Sequence, residues 1–237
     1  MALREPEVAV KVRGEYACFT RPEFKVERVS YPVMTPSAAR GLLEAIFWKP
    51  EFRWQIAEIH VLKDIQQIAV LRNELDDRQG KDPIFVEDKR QQRTSLILKK
   101  VEYLIKARIC LRPHAKDLPI KYEECFLRRL EKGQCHHTPY LGTREFAAGF
   151  EPPDGTETPW PIQMNIGQML FDIAYCQDSK RDELQFWGRD ADGKRTLVKG
   201  YAQAVFFPAY VGKEAPGVLK VPREKYDEVY RLEHGHA

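Results

Sequence analysis

The sequence predicts an α+β protein built mainly on antiparallel strands, and three observations lead there. Several separate stretches alternate apolar and polar residues with the period of two that marks a half-buried strand. Two stretches among them carry apolar residues at helical spacing instead, bounded by helix start and stop signals. Beyond a junction dense in proline and glycine, strand-like stretches resume with turn residues between them.

The elements follow in order. Val8, Val10 and Val12 alternate with Ala9, Lys11 and Arg13, which gives a first strand. A helix comes next, capped by Thr35 or Ser37, with Pro36 in its first turn and Pro50 to end it. Ala39, Leu42, Leu43, Ile46 and Phe47 face the core, and Arg40 and Glu44 lie four apart on the other side. Gln55 to Ile65 reads as a strand, and the polar stretch from Arg72 to Gln92 as a long loop or projecting ribbon. The longest alternation follows: Val101, Tyr103, Ile105, Ala107, Ile109 and Leu111 point one way, and Glu102, Lys106 and Arg108 the other. A second helix spans about Lys121 to Lys132, with Phe126, Leu127 and Leu130 inward and Gly133 as its stop. Thr143 to Phe150 supplies a further strand.

The order strand, helix, strand, strand, helix, strand is that of a ferredoxin-like split βαβ unit, also the frame of the RNA-recognition motif. Residues 1–150 are therefore expected to form a ferredoxin-like (RRM-like) domain. Glu151 to Pro161 marks the junction. Residues 151–237 are expected to form a small antiparallel β domain, with strands at Met169–Tyr175, Leu184–Gly188, Leu197–Phe207 and Val218–Val221. The turn Asp190-Ala-Asp-Gly193 joins two of them as a hairpin. The charged tail from Arg223 suits a short helix or loose chain. No internal repeat or low-complexity segment occurs.

Composition narrows the class. In 237 residues, 43% are hydrophobic and 31% charged, enough for a packed core. No apolar run approaches the length of a membrane span, and the first residues carry acids and a proline where a signal peptide needs an apolar stretch. A cytoplasmic protein without membrane association is expected. Five cysteines, an odd number without a C-x-x-C, indicate neither a disulfide framework nor a ribbon-type zinc site.

The net charge of +3 argues little, but its distribution says more. Lys89, Arg90, Arg93, Lys99, Lys100, Lys106 and Arg108 face one acid, Glu102, in a single stretch. This is the footprint that a polyphosphate partner requires, and equally that of a strand edge kept soluble by lysines. The helices add Arg40 and Lys49, then Lys121, Arg128 and Arg129 beside Lys132. These suit phosphate contact, or a solvated face balanced by Glu123, Glu124 and Glu131.

No phosphate-binding loop, dinucleotide fingerprint, H-E-x-x-H or carboxylate cluster is present, so no cofactor or metal is expected. Cys135-His136-His137, with Cys125 nearby, holds zinc-type atoms at a spacing that matches no common site. The two histidines suit acid–base work, RNA contact beside Lys132 and Arg144, or an exposed loop with no role. The aromatic consensus of a true RNA-recognition motif is absent.

Three segments stand out together. They are Gly41-Leu-Leu-Glu-Ala-Ile-Phe-Trp-Lys-Pro50, then Phe126-Leu-Arg-Arg-Leu-Glu-Lys-Gly-Gln-Cys135 with Pro139-Tyr-Leu-Gly-Thr-Arg-Glu-Phe146. The third is the pattern of Phe171-Asp172, Phe206-Phe207 and Val218-Leu-Lys-Val-Pro222. With the opening Gly14-Glu-Tyr-Ala-Cys-Phe-Thr20 they resemble the type I-C Cas5d family of CRISPR-associated proteins. The resemblance implies binding of the repeat hairpin of precursor CRISPR RNA and its metal-independent cleavage. It also implies retention of the 5′ handle beside the other subunits of the type I-C interference complex (Cascade).

Such cleavage needs a base for the 2′-hydroxyl, a cation for the phosphorane-like transition state and an acid for the leaving oxygen. The family's proposed set is a Tyr, a Lys and a neighbouring His. The resemblance puts Phe47 at the first position, Lys121 at the second and Tyr122 at the third. Tyr122, His136 or His137 would then supply the missing proton chemistry. The alternative is a structural subunit that binds CRISPR RNA, and duplex DNA, without cutting. A general RNA-recognition adaptor would explain the basic strand but not the three segments.

Overall fold

A computed structural model describes residues 5–24, 26–76, 80, 83–189 and 195–234. The elements are β1 (Glu7–Ala17), α1 (Pro36–Ile46), β2 (Phe52–Val61), β3 (Gln66–Leu75), the short α2 (Val86–Lys89) and β4 (Arg90–Leu111). They continue as α3 (Pro119–Glu131), β5 (Gly149–Glu151), β6 (Met164–Gln177), β7 (Leu184–Arg189), β8 (Arg195–Val211), β9 (Val218–Lys220) and α4 (Glu224–His234). The fold is α+β. Its antiparallel strands run in the order β5-β1-β4-β2-β9-β8-β6, with β3 on the first half of β4 and β7 on the start of β8. No described helix is long and apolar enough to cross a membrane.

The alternations find their strands. Val8, Val10 and Val12 of β1 are buried and lie across from Ala107, Ile105 and Tyr103 of β4. Helix α1 and helix α3 pack against this sheet and against each other. Thr35 caps α1, its hydroxyl accepting a bond from the Ala38 N–H at 3.2 Å. Ala39, Leu42, Leu43 and Ile46 are buried as their spacing requires.

Several boundaries differ from expectation, each for a local reason. Helix α1 stops at Ile46, before Pro50, because Phe47 turns extended (φ −149°, ψ 121°). In α3 the inward stripe is Tyr122, Phe126 and Leu130, four apart, while Leu127 faces out. Gly133 stops α3 at φ +62°, a conformation that costs glycine nothing. Much of the stretch from Thr143 to Phe150 is loop, and only Gly149–Glu151 joins the sheet. Gly142, just before that stretch, touches the chain just after β1: a Cβ there would meet the Cys18 carbonyl oxygen at 2.0 Å. At the two ends of the polar region, Asn73–Leu75 pair with Arg90–Gln92 in the two-stranded ribbon that β3 forms with the start of β4. The predicted turn Asp190–Gly193 lies outside the described residues.

The C-terminal strands continue the same sheet. β9 lies between β2 and β8: Leu219 pairs with Ile59 on one side and with Val211 on the other. Beside it a bulge in β2 between Ile56 and Glu58 turns the Ala57 carbonyl outward, where the Val221 N–H donates to it at 3.0 Å. The Tyr226 hydroxyl of α4 accepts from the Ile56 N–H at 2.6 Å.

Candidate nucleic-acid interface

The candidate residues fall in three places. The first is the carboxyl end of α1, whose last carbonyls need donors. Phe47 N–H bonds Leu43 O at 2.8 Å, and the backbone N–H groups of His136 and His137 both bond Ala45 O, at 2.8 and 3.2 Å. Arg129 Nη1 donates to Ile46 O at 2.9 Å, with its guanidinium 5.2 Å from the Phe47 ring centre, and Trp54 Nε1 donates to Phe47 O at 2.9 Å. Arg129 thus brings its charge to the negative end of the helix dipole. The backbone of the His136–His137 loop does structural work, while both imidazoles stay exposed, 5.6 Å apart. Exposed Lys49, Arg128 and Arg144 complete this basic margin, and His137, Tyr140 and Arg144 line one shallow hollow.

The second place is the amino end of α3. Lys121 is exposed and its Nζ donates to Asp117 Oδ2 at 2.8 Å; that bond and charge raise its pKa, so it stays an ammonium at neutral pH. Tyr122 is buried against Phe52 at 5.2 Å between ring centres, and Phe47 packs on the same ring at 5.5 Å. Burial pushes the Tyr122 phenol up, and the charges of Glu51 and Asp117 add to this, so it keeps its proton. The helix between Lys121 and Glu131 rises about 15 Å. The structure therefore brings Tyr122 to Lys121 and leaves His136 and His137 beyond the far end of α3.

One residue escaped sequence reasoning. His114, on the loop that enters α3, bonds the Pro50 carbonyl through Nε2 at 3.1 Å and stays exposed. It is the described histidine closest in sequence to Lys121. Its only signal was a proline-flanked position seven residues before that lysine.

The third place is the sheet face that carries no helix. Lys106 meets Glu58 at 3.2 Å and Arg108 meets Glu7 at 3.4 Å, while Lys11 and Lys63 share Glu102. This face is a lattice of alternating charge rather than a purely basic one. Lys99 and Lys100, where β4 passes from β3 to the main sheet, have no acidic partner among the described residues. Lys100 adopts φ +53°, a left-handed conformation that an L-residue holds only under constraint. It lines a hollow of about 670 Å³ with Arg13, Lys63 and Trp160, and with the acids Glu15 and Asp64.

Arg40 lies apart from all three. Its guanidinium is enclosed by Asp172 of β6 and Glu44. Among the described residues no group of three His, Cys, Asp or Glu converges to hold a metal ion.

The model of the CRISPR-associated Cas5d proteins matches residues 7–162. The chain belongs to the Cas5d family. It is 60% identical over 228 residues to the CRISPR pre-crRNA endoribonuclease Cas5d of Thermus thermophilus, covering 96% of both chains. With the CRISPR pre-crRNA endoribonuclease Cas5d of Mannheimia succiniciproducens it shares 41% over 192 residues, covering 71% of this chain and 85% of that one. Two solved structures share the fold at lower identity. One is a CRISPR-associated protein (TM-score 0.63, 22% identity, 95% and 96% covered). The other is a functionally uncharacterized protein of Streptococcus mutans (TM-score 0.61, 20% identity, 94% and 96% covered).

Proposed function

We propose that this Cas5d-family chain is a CRISPR endoribonuclease that binds the repeat hairpin of precursor CRISPR RNA and cuts it. The observation that carries this reading is the 60% identity, over nearly the whole length of both chains, to a curated pre-crRNA endoribonuclease. On the same reading it keeps the 5′ handle and joins other subunits of a type I-C interference complex.

The reading of the fold is that residues 1–150 form a ferredoxin-like RNA-processing unit and residues 151–237 a small antiparallel unit. The strand order β5-β1-β4-β2 with two helices on one face supports it, β3 being an added strand on β4.

Cleavage proceeds without a metal ion. The 2′-hydroxyl loses its proton to a base and attacks the adjacent phosphorus. Lys121 holds the charge that builds on the phosphoryl oxygens, and the 5′-oxygen leaves with a proton from Tyr122. His114 is the base we favour, because it lies on the α3 entry loop with Asp117, the residue that holds Lys121 in the first turn of the helix. His136, His137, Lys49, Arg128 and Arg144 border the hairpin as phosphate or base contacts. Leu118 supplies no side-chain cap to α3, so N–H groups of its first turn add to the attraction of Lys121 for a phosphate.

The test is incubation of a labelled repeat hairpin with the protein in EDTA. Products bearing a 5′-hydroxyl and a 2′,3′-cyclic phosphate support the mechanism. Cleavage that needs magnesium and leaves 5′-phosphates overturns it.

One observation favours a second reading, a non-cleaving subunit that binds CRISPR RNA and duplex DNA. Phe47, at the position of the family tyrosine, is a buried ring with no proton to give. Hairpin binding without any cleavage would decide for this reading.

A further inference from the structure

A cleft of about 660 Å³ opens where the chain leaves α1 and enters β2, across from β6, β7 and α4. Three of its aromatic side chains are more exposed than core packing explains: Trp48 at 50%, Tyr175 at 43% and Trp187 at 59%. Trp187 is already used as a stacking surface, with the Arg195 guanidinium 4.3 Å from its ring centre. Tyr175 leans on Phe186 at 5.6 Å.

The cations of the cleft outnumber its acids. Arg53, Arg112 and Arg195 line it together with His234, and Glu233 is the one carboxylate among the lining residues. That carboxylate is bound by Arg53 Nη2 at 2.8 and 2.6 Å. The other terminal nitrogen of Arg53, Nη1, is buried and finds no hydrogen-bond partner, an unusual state for a guanidinium donor. Flat π faces alternating with arginines suit a strand of unpaired bases and phosphates, which stack and pair with these groups whatever their sequence. An apolar protein segment would leave Arg53 Nη1 unmet.

The position adds a second argument. Pro50 forms part of the cleft, and its carbonyl holds His114 on the entry loop of α3. Through Pro50 the cleft thus adjoins the loop that leads into α3 and Lys121.

We propose that the cleft is a stacking subsite for unpaired ribonucleotides that adjoin the hairpin. Trp48, Tyr175 and Trp187 face bases, and Arg53 and Arg195 face phosphates. The proposal rests on the reading of the chain as a hairpin-binding protein and adds a single-strand site, on the C-terminal strands, to it.

Fluorescence anisotropy with two RNAs tests it: a blunt repeat hairpin, and the same hairpin carrying about six unpaired uridines on either side, within the range that such grooves accommodate. The wild-type protein is expected to bind the flanked RNA about tenfold more tightly. Trp187→Ala should remove most of that gain, Trp187→Phe should keep much of it, and affinity for the blunt hairpin should stay unchanged in both. Trp187 is well exposed, so neither change threatens the fold. Equal affinity of wild type for the two RNAs overturns the subsite while leaving hairpin binding intact. Failure of wild type to bind either RNA overturns the underlying reading instead. Cleft variants that keep the flank gain yet fail to assemble with a partner subunit would give the cleft to protein and overturn the RNA assignment.

Discussion

Arg40 on α1 grips Asp172 on β6 through two parallel hydrogen bonds, Nε to Oδ2 at 2.8 Å and Nη2 to Oδ1 at 2.7 Å. Its Nη1 donates to Glu44 at 2.7 Å, and Asp172 is only 4% exposed. Burial works against the charge of Arg40, but the two carboxylates outweigh it and raise its pKa well above the usual value. The pair ties the first helix to a strand near the other end of the chain. Removing Arg40 leaves the Asp172 carboxylate buried without a counter-charge, and removing Asp172 leaves Arg40 with Glu44 as its one carboxylate. Arg40→Ala and Asp172→Ala should each destabilise the protein by about 3–5 kcal/mol. The double variant should lose less than the sum of the two, which denaturant unfolding in a double-mutant cycle measures.

Lys121→Ala should lower the single-turnover cleavage rate by about a hundredfold or more, the scale for losing one electrostatic donor. Hairpin affinity should change much less, because one phosphate contact is a small share of binding. An unchanged rate removes Lys121 from the site. His114→Ala in the same assay asks whether the histidine on the entry loop carries the proton chemistry; His136→Ala and His137→Ala are the controls from the other end of α3.

Replacing Lys99, Lys100 and Lys106 together by alanine should weaken hairpin binding and flatten its dependence on salt between about 50 and 200 mM. The structure divides the three. Lys106 is paired with Glu58, whereas Lys99 and Lys100 form no ion pair among the described residues. Single variants at Lys99 and Lys100 should therefore account for most of the change in slope. A slope that stays constant in the triple variant assigns these lysines to solubility alone.

The charged face of the sheet predicts an acid-sensitive fold. Burial pushes the Glu102 carboxyl up, but its bonds to Lys63 and Lys11 more than offset this and leave its pKa lowered; Glu58 is lowered likewise against burial by His60 and Lys106. A carboxyl with a lowered folded pKa adds stability that is present above the unfolded value, about 4.3, and lost as pH falls through the folded value. Unfolding free energy should thus drop below about pH 5 in the wild type. The drop should be shallower in Glu102→Gln combined with Glu58→Gln, and identical slopes would contradict the assignment.

What the sequence revealed depended on how local the determining forces were. Helix α1 was legible because Thr35, Pro36 and the spacing of Leu42, Leu43 and Ile46 all act within a few residues. The long alternation of β4 was legible for the same reason. Strand β3 was not: its ribbon covers little core, its side chains are at most half-buried, and Leu71 and Leu75 stay exposed, so no clean face marks it. Among candidate residues, Lys121 came from family resemblance and not from its own neighbourhood. Arg40 read as an exposed basic residue because its partner, Asp172, lies far along the chain. Phe47 and Tyr122 show opposite fates for aromatic side chains at family positions. Both pack on Phe52, yet only Tyr122 retains a hydroxyl with which to act.

The three-residue strand β9 has a consequence for how the molecule is made. Until Val218–Lys220 emerges during synthesis, the edge of β2 that will receive Leu219 has no partner in the native pattern. The matching part of β8 waits beside it. A nascent chain therefore carries open backbone on its central strands until residues 218–220 have been made, the condition under which strands of neighbouring molecules pair by mistake. Closing the sheet joins residues from distant parts of the chain, which slows folding. Yield from a cell should thus respond to chaperone supply and to growth temperature more strongly than the stability of the finished protein would suggest.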